Sequence, residues 1–251
     1  MPLLKRFCLL SALTLICLGQ LACTSGTRQS TQADFRDPAY MTLESGVRRL
    51  WDGTYEVAGL VRMPNVTAQM YRWWFTDYLQ TTEHYQRWHP EDHVWMDWEY
   101  KQPGKIVGAH HLVHEYIGGE MNKLRIQFVA PEQVLGYDPS DTNTTAICAK
   151  VGELESSINI AEMCHVVRNT PWGAELRSRF WLGVFDDREG GRLKNLVIDL
   201  VMNNPVSRWF AVDEETALAL LKHCTEEMSF LADLLPELYT GDLAQVTQHT
   251  P

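Results

Sequence analysis

Four stretches from Ile106 onward alternate apolar and polar residues with period two, and each predicts a strand. They run from Ile106 to Ile117, Leu124 to Val129, Ser157 to Arg168 and Ala174 to Phe185. A fifth strand is expected over Leu193 to Met202, after the turn Arg188-Glu-Gly-Gly-Arg192, and Pro131 to Thr145 reads as a polar loop. From Asp213 the period becomes helical, with Leu220, Cys224, Leu231 and Leu234 on one stripe. Asp213 suits an N-cap, Glu214 and Glu215 suit the positive end of the dipole, and Pro236 is expected to end the helix. Nearer the N-terminus, Pro64 opens a helix that is expected to reach Tyr78, and Met41 to Met63 reads as a short extended region packed on the body. Antiparallel strands closed by one long helix predict an α+β fold, a curved sheet gripping that helix.

Two of these patterns carry chemistry. In the strand from Ile106, Glu115 shares the apolar face with Val107, Ala109, Val113 and Ile117. In the long helix, His223 and Glu227 are four apart and fall inside the apolar stripe, while Lys222 and Glu226 lie outside it. A buried carboxylate without a partner is very costly, so such a group must be paired or bound to a metal. A buried His–Glu hydrogen bond satisfies the pair; a metal is the sharper reading. The stretch His84-Tyr-Gln-Arg-Trp-His-Pro-Glu-Asp-His93 offers a further imidazole, from His93 or His89. Two imidazoles and two carboxylates suit zinc or a similar divalent ion. Ligands from a loop, a strand and a helix converge only around a cavity between sheet and helix, where a small ligand would sit. His84, His110, His111 and His114 read as surface or supporting residues.

Composition narrows the class. The 251 residues, 45% of them hydrophobic, are enough to bury a real core, and 9 Trp, 9 Tyr and 8 Phe favour an aromatic-lined interior. A net charge of −10 leaves no nucleic-acid footprint. Lys5 and Arg6 precede an apolar run from Phe7 to Leu18, too short for an ordinary spanning helix and expected to be an export signal. Leu21-Ala22-Cys23 resembles a lipoprotein site, so residues 1–22 are expected to leave and Cys23 to carry a lipid anchor; the alternative is a soluble periplasmic protein. Residues 23–40 then form a polar tether, 41–105 a helical N-terminal segment, 106–240 the main domain and 241–251 a tail. Cys148, Cys164 and Cys224 remain in the body. One bridge among them is compatible with export, and the sequence does not choose the pair. A homodimer is compatible with a chain of this size.

Several motifs stand in a fixed order: Trp88-His-Pro-Glu-Asp-His93, His114-Glu-Tyr-Ile-Gly-Gly119, His165 with Arg168, Glu175-Leu-Arg-Ser-Arg-Phe-Trp-Leu-Gly183, and His223-x-x-x-Glu227 followed by Leu234-Leu-Pro-Glu-Leu-Tyr239. From about Tyr55 to Tyr239 the chain thereby resembles the diacetylphloroglucinol hydrolase family, which includes phloretin hydrolase. The resemblance implies a Bet v 1-like, helix-grip fold. It also implies hydrolysis of the carbon–carbon bond between an acyl group and a phenolic ring, at one zinc per chain. It puts that metal on His93, Glu115, His223 and Glu227, with Tyr85 and His165 as catalytic candidates in the pocket. The substrate expected is a small aromatic acylphenol. Phe180 stands near the family's second pocket tyrosine, and Val94 to Met96 where the family has a pocket asparagine. Two other functions share these features: an exported helix-grip carrier without turnover, and a metal-dependent ester or amide hydrolase.

Overall fold

The computed structural model describes residues 34–248, with side chains through Asp242. The expected export signal and the expected lipid-anchor residue Cys23 lie outside the described residues. Eight strands form a single antiparallel sheet in the order β1-β2-β8-β7-β6-β5-β4-β3. They are β1 (Gly46–Arg49), β2 (Tyr55–Pro64), β3 (His93–Glu99), β4 (His110–Ile117), β5 (Glu120–Val129), β6 (Thr144–Glu153), β7 (Ile158–Thr170) and β8 (Gly173–Asp187). Helices α1 (Ala68–Trp73), α2 (Thr82–Trp88), α3 (Pro131–Leu135), α4 (Arg192–Val201), α5 (Pro205–Ala211) and α6 (Glu214–Gln248) complete the chain. This is the helix-grip layout: the inner face of the sheet closes on α6. Among the described residues no helix is long and apolar enough to cross a membrane.

Each strand's period-two pattern separates two cores. The inner one joins Val57, Val61, Phe128, Ile147, Met163 and Leu176 to Met228 and Leu231 of α6. On the outer face, Cys148, Cys164, Val166 and Trp181 pack with Phe35 and Leu135. Arg177 and Arg179 of β8 are buried there, and the segment before β1 supplies acceptors to their terminal nitrogens. Arg177 donates to the carbonyls of Phe35, Asp37 and Ala39 and to Glu44, and Arg179 donates to the Leu43 carbonyl. Cys148 and Cys164, opposed across β6 and β7, form a disulfide.

Several elements differ from the sequence expectation. Leu193 to Met202 is helical rather than extended: Leu193, Leu196, Val197 and Leu200 recur at i, i+3, i+4 and i+7, which is the helical period. Thr144 to Glu153, which begins inside the expected polar loop, is a full strand with both faces covered, so its polarity pattern is blurred. Pro64 ends β2 rather than opening a helix. The helix N-cap is Thr67, and Trp74–Tyr78 is a π-helical turn. Met41 to Met63 supplies β1 and β2 to the sheet itself. Pro236 does not stop α6, which continues to Gln248 with that proline inside it. The segment 41–105, expected to be helical, thus also contributes β1, β2 and β3 to the sheet.

Candidate metal centre and cavity

The sheet register brings the first pair of residues together. Thr81 caps α2 by accepting from the His84 N–H, and α2 ends at Trp88. Pro90 prevents the helix from continuing, and the chain turns until the His93 N–H bonds the His89 carbonyl at 2.9 Å. His93 opens β3 directly opposite Glu115 of β4. The second pair, His223 and Glu227, comes down from α6 on one helical face. Trp88 ties α2 to that helix by donating from Nε1 to the Glu227 carbonyl at 2.7 Å.

All four side chains meet at one point. His93 Nε2 lies 3.5 Å from Glu227 Oε2 and 4.0 Å from Glu115 Oε2. His223 Nε2 lies 3.9 Å from Glu115 Oε2 and 4.0 Å from Glu227 Oε2. Neither imidazole nitrogen has a hydrogen-bond partner, although both are buried. Their other nitrogens are committed. His93 Nδ1 donates to the Tyr85 carbonyl at 2.9 Å, which leaves Nε2 as a bare lone pair. His223 Nδ1 sits 3.0 Å from Asp92 Oδ2, an arrangement that orients a ligating imidazole and raises its basicity. His93, Glu115 and His223 each offer a ligand atom within 4.8 Å of the others, and Glu227 Oε2 faces both imidazoles; a tetrahedral ion with bonds of about 2.0–2.1 Å keeps its ligands about 3.3 Å apart, so the set must draw inward to hold one. His89, the alternative to His93, does not face this cluster. Its Nε2 lies 3.6 Å from Asp92 Oδ2, in a second grouping of His89, Asp92 and His223 that shares His223 with the cluster.

Electrostatics fit a site that expects a cation. Burial pushes the Glu227 carboxyl up to about 7, against the pull of His223 and His89. Burial drives His93 down to about 4. Burial alone would also lower His223, but Glu227, Glu115 and Asp92 outweigh it and raise that imidazole.

Glu115, His223 and Glu227 of the cluster line a cavity of about 380 Å³ between sheet and α6. Phe75, Phe128, Met163, Phe180, Leu220 and Met228 give it an apolar lining. Tyr85 and His165 both face it, as expected. The Tyr85 hydroxyl donates to Glu115 Oε2, and its ring stacks on His93 at 3.7 Å. Burial, then the charge on Glu115, raise the phenol well above its ordinary range. His165 Nδ1 lies 2.8 Å from Ser178 Oγ, its neighbour across β7 and β8, and burial lowers it to about 4.

Two residues escaped the sequence reading. His111 is no surface group: it is buried, lines the cavity and stacks on Trp98 at 4.4 Å. The signal was present, since His111 shares the period-two face of Val113 and Glu115. Asp92 sat in view beside His93, but its partner His223 is 131 positions away, and only the fold joins them.

Residues 28–240 match the family model described as the DAPG hydrolase PhiG domain. Phloretin hydrolase of Eubacterium ramulus is 28% identical over 216 residues, covering 82% of this chain and 74% of that protein. A 2,4-diacetylphloroglucinol hydrolase of a Pseudomonas species is 26% identical over 217 residues, covering 81% and 73%. Among solved structures, ginseng major latex-like protein 151 from Panax ginseng overlaps with a TM-score of 0.37 at 13% identity, over 68% of this chain and 97% of that one. Ara h 8.0201 does so with a TM-score of 0.35 at 11% identity, over 66% and 98%.

Proposed function

The chain belongs to the DAPG hydrolase PhiG domain family, and from that premise we propose that it hydrolyses the carbon–carbon bond between an acyl group and a phenolic ring. The observation that carries this reading is the convergence of His93, Glu115, His223 and Glu227, with two buried and unpartnered imidazole nitrogens, beside an apolar cavity that Glu115, His223 and Glu227 line. These four residues would hold one zinc-like ion per chain. Such an ion, when bound, supplies a Lewis acid that polarises a carbonyl and makes water more acidic.

The chain's own residues account for the remaining requirements. Hydrolysis puts the oxygen of water on the acyl carbon and a proton on the ring carbon, releasing a carboxylic acid and a phenol. Phe75, Phe128 and Phe180 offer a dry, flat-sided space for the ring. Tyr85 is protonated at neutral pH, so its hydroxyl serves as a donor beside Glu115, either to a phenolic oxygen or to the departing carbon. His165 is neutral at pH 7 and held by Ser178, which suits a fixed hydrogen bond to a ring hydroxyl. Asp92 keeps the His223 ring turned toward the cluster.

Acid release from phloretin and from 2,4-diacetylphloroglucinol by the zinc-supplied full chain, followed by chromatography beside His223→Ala, tests the proposal. Turnover by the wild type alone is expected. Cleavage of phenyl esters without cleavage of any acylphenol would replace it with an ester hydrolase, and binding of acylphenols without turnover would replace it with a carrier. Export with a lipid on Cys23 is part of the same reading, supported by the Lys5 to Cys23 pattern. Incorporation of labelled palmitate that Cys23→Ser abolishes is the expected result.

A further inference from the structure

Among the described residues three imidazoles line the cavity. His223 belongs to the cluster and His165 is held by Ser178, but His111 has no task in the chemistry so far. It is 2% exposed, and its Nε2 has no hydrogen-bond partner. A polar atom buried in this way is costly unless something pairs with it. The ring itself is fixed. It stacks on Trp98 at 4.4 Å, with 19° between the planes. Trp98 donates from Nε1 to the Leu79 carbonyl at 2.9 Å, and Lys101 Nζ lies 4.8 Å from its ring centroid. Lys101 is tied down in turn by the carbonyls of Phe75 and Thr76. A side chain held so firmly loses little freedom when a ligand pairs with it, so that pairing discriminates well.

Its place on β4 indicates which ligand atom it meets. His111 and Glu115 share one face of the strand, four residues apart, so their Cα atoms stand about 13 Å apart at roughly 3.3 Å per residue. The Tyr85 ring occupies part of that interval, stacked on His93 at 3.7 Å and meeting His111 at 5.3 Å and 80°. His111 thus lies about one aromatic ring beyond the cluster. An acylphenol with its carbonyl at the cluster has its ortho hydroxyls beside Tyr85, whose own hydroxyl donates to Glu115. Its para hydroxyl points away from the cluster along the strand. We propose that Nε2 of His111 pairs with the ring hydroxyl para to the acyl group, and so selects acylphenols that carry one. Burial, then the charges of His93 and Lys101, push this imidazole down to about 3, so it is neutral at pH 7. A neutral imidazole has one donor and one acceptor nitrogen, and a hydroxyl does both, so the pair forms in either tautomer. The inference rests on the acylphenol reading for the identity of the ligand, but it concerns binding and not the bond that breaks.

Calorimetric titration of the zinc-supplied full chain with phloretin, and with an analogue lacking only the hydroxyl para to the acyl group, tests the assignment. The wild type should bind phloretin about tenfold or more tighter than the analogue, because the analogue leaves Nε2 unpaired. His111→Phe keeps a ring on Trp98 but no nitrogen. It should abolish or reverse that preference while holding the analogue as tightly as the wild type does. His111→Leu removes the nitrogens without the ring and should do the same, so one folded variant suffices, and circular dichroism checks both. A wild type without the preference would overturn the assignment. So would a preference that survives in a folded variant, or affinities for both compounds that fall together, as loss of mere packing would cause. Acid release is followed beside binding so that the two readings fail separately. Binding with the preference but without turnover would remove the hydrolase and keep His111. Turnover with the preference intact in His111→Phe would keep the hydrolase and remove His111.

Discussion

Replacing Glu227 with Gln should stabilise the metal-free protein and destroy its response to zinc. The Glu227 side chain is 12% exposed, and burial raises its carboxyl from 4.5 to about 7. A folded-state value above the unfolded one means that the folded chain takes up this proton first as the pH falls. The stability linked to the protonated form is complete below about pH 4.5 and is lost as the pH rises through about 7. At pH 8 the loss is about 3 kcal/mol. Gln is neutral throughout and nearly the same shape. Metal-free Glu227→Gln should therefore exceed the wild type by about 3 kcal/mol at pH 8 and match it near pH 4. Zinc should reverse the order, because a ligand present at about a thousand times its dissociation constant stabilises the wild type by about 4 kcal/mol, while the variant lacks one donor. Urea unfolding of the full chain, with chelator or with zinc, at pH 4 and pH 8, measures both effects. If the metal-free variant were no more stable than the wild type at pH 8, or if zinc raised both equally, Glu227 would not be a destabilised ligand.

Asp92→Asn should weaken zinc binding about 10–100-fold while the fold persists, because it removes the acceptor that orients His223; chelator competition reads the affinity. Tyr85→Phe should keep the metal and lower kcat/KM for acylphenols about 10–100-fold, the effect of losing one well-placed hydrogen bond; unchanged turnover would remove Tyr85 from the reaction. His165 has a folded-state value of about 4 against 6.5 for the free side chain. The unfolded chain therefore takes up that proton first, and stability falls by about 3 kcal/mol as the pH drops from 6.5 to 4. His165→Gln should remove that part of the acid sensitivity in thermal unfolding scans at pH 4 and pH 7.

Local pattern alone determined much of this protein. Period-two alternation marked β4, β5, β7 and β8, because successive side chains of a strand point to opposite faces of the sheet. The helical stripe marked α6 and put His223 and Glu227 on its inner side, because side chains four apart share a face. Parity likewise turned Glu115 inward, and would have turned His111 inward had it been followed four residues back. The motif order carried the family and, through it, the four-residue cluster. Where the environment overrode local preference, the pattern misled. β6 is covered on both faces and shows no alternation; α4 turns its apolar stripe to solvent, where a further strand was expected; α6 passes through Pro236.

The tertiary structure decided which groups meet. The β3–β4 register sets His93 against Glu115. The turn after α2 aims His93, rather than His89, at the cluster, and α6 brings His223 across 131 positions to Asp92. The burial that displaces Glu227 and His93 from their ordinary values is likewise a property of the closed cavity. Local pattern assigns a side chain to a face because chain geometry repeats over two to four residues. Distances between remote side chains depend on register and packing across the whole sheet, which no short window contains.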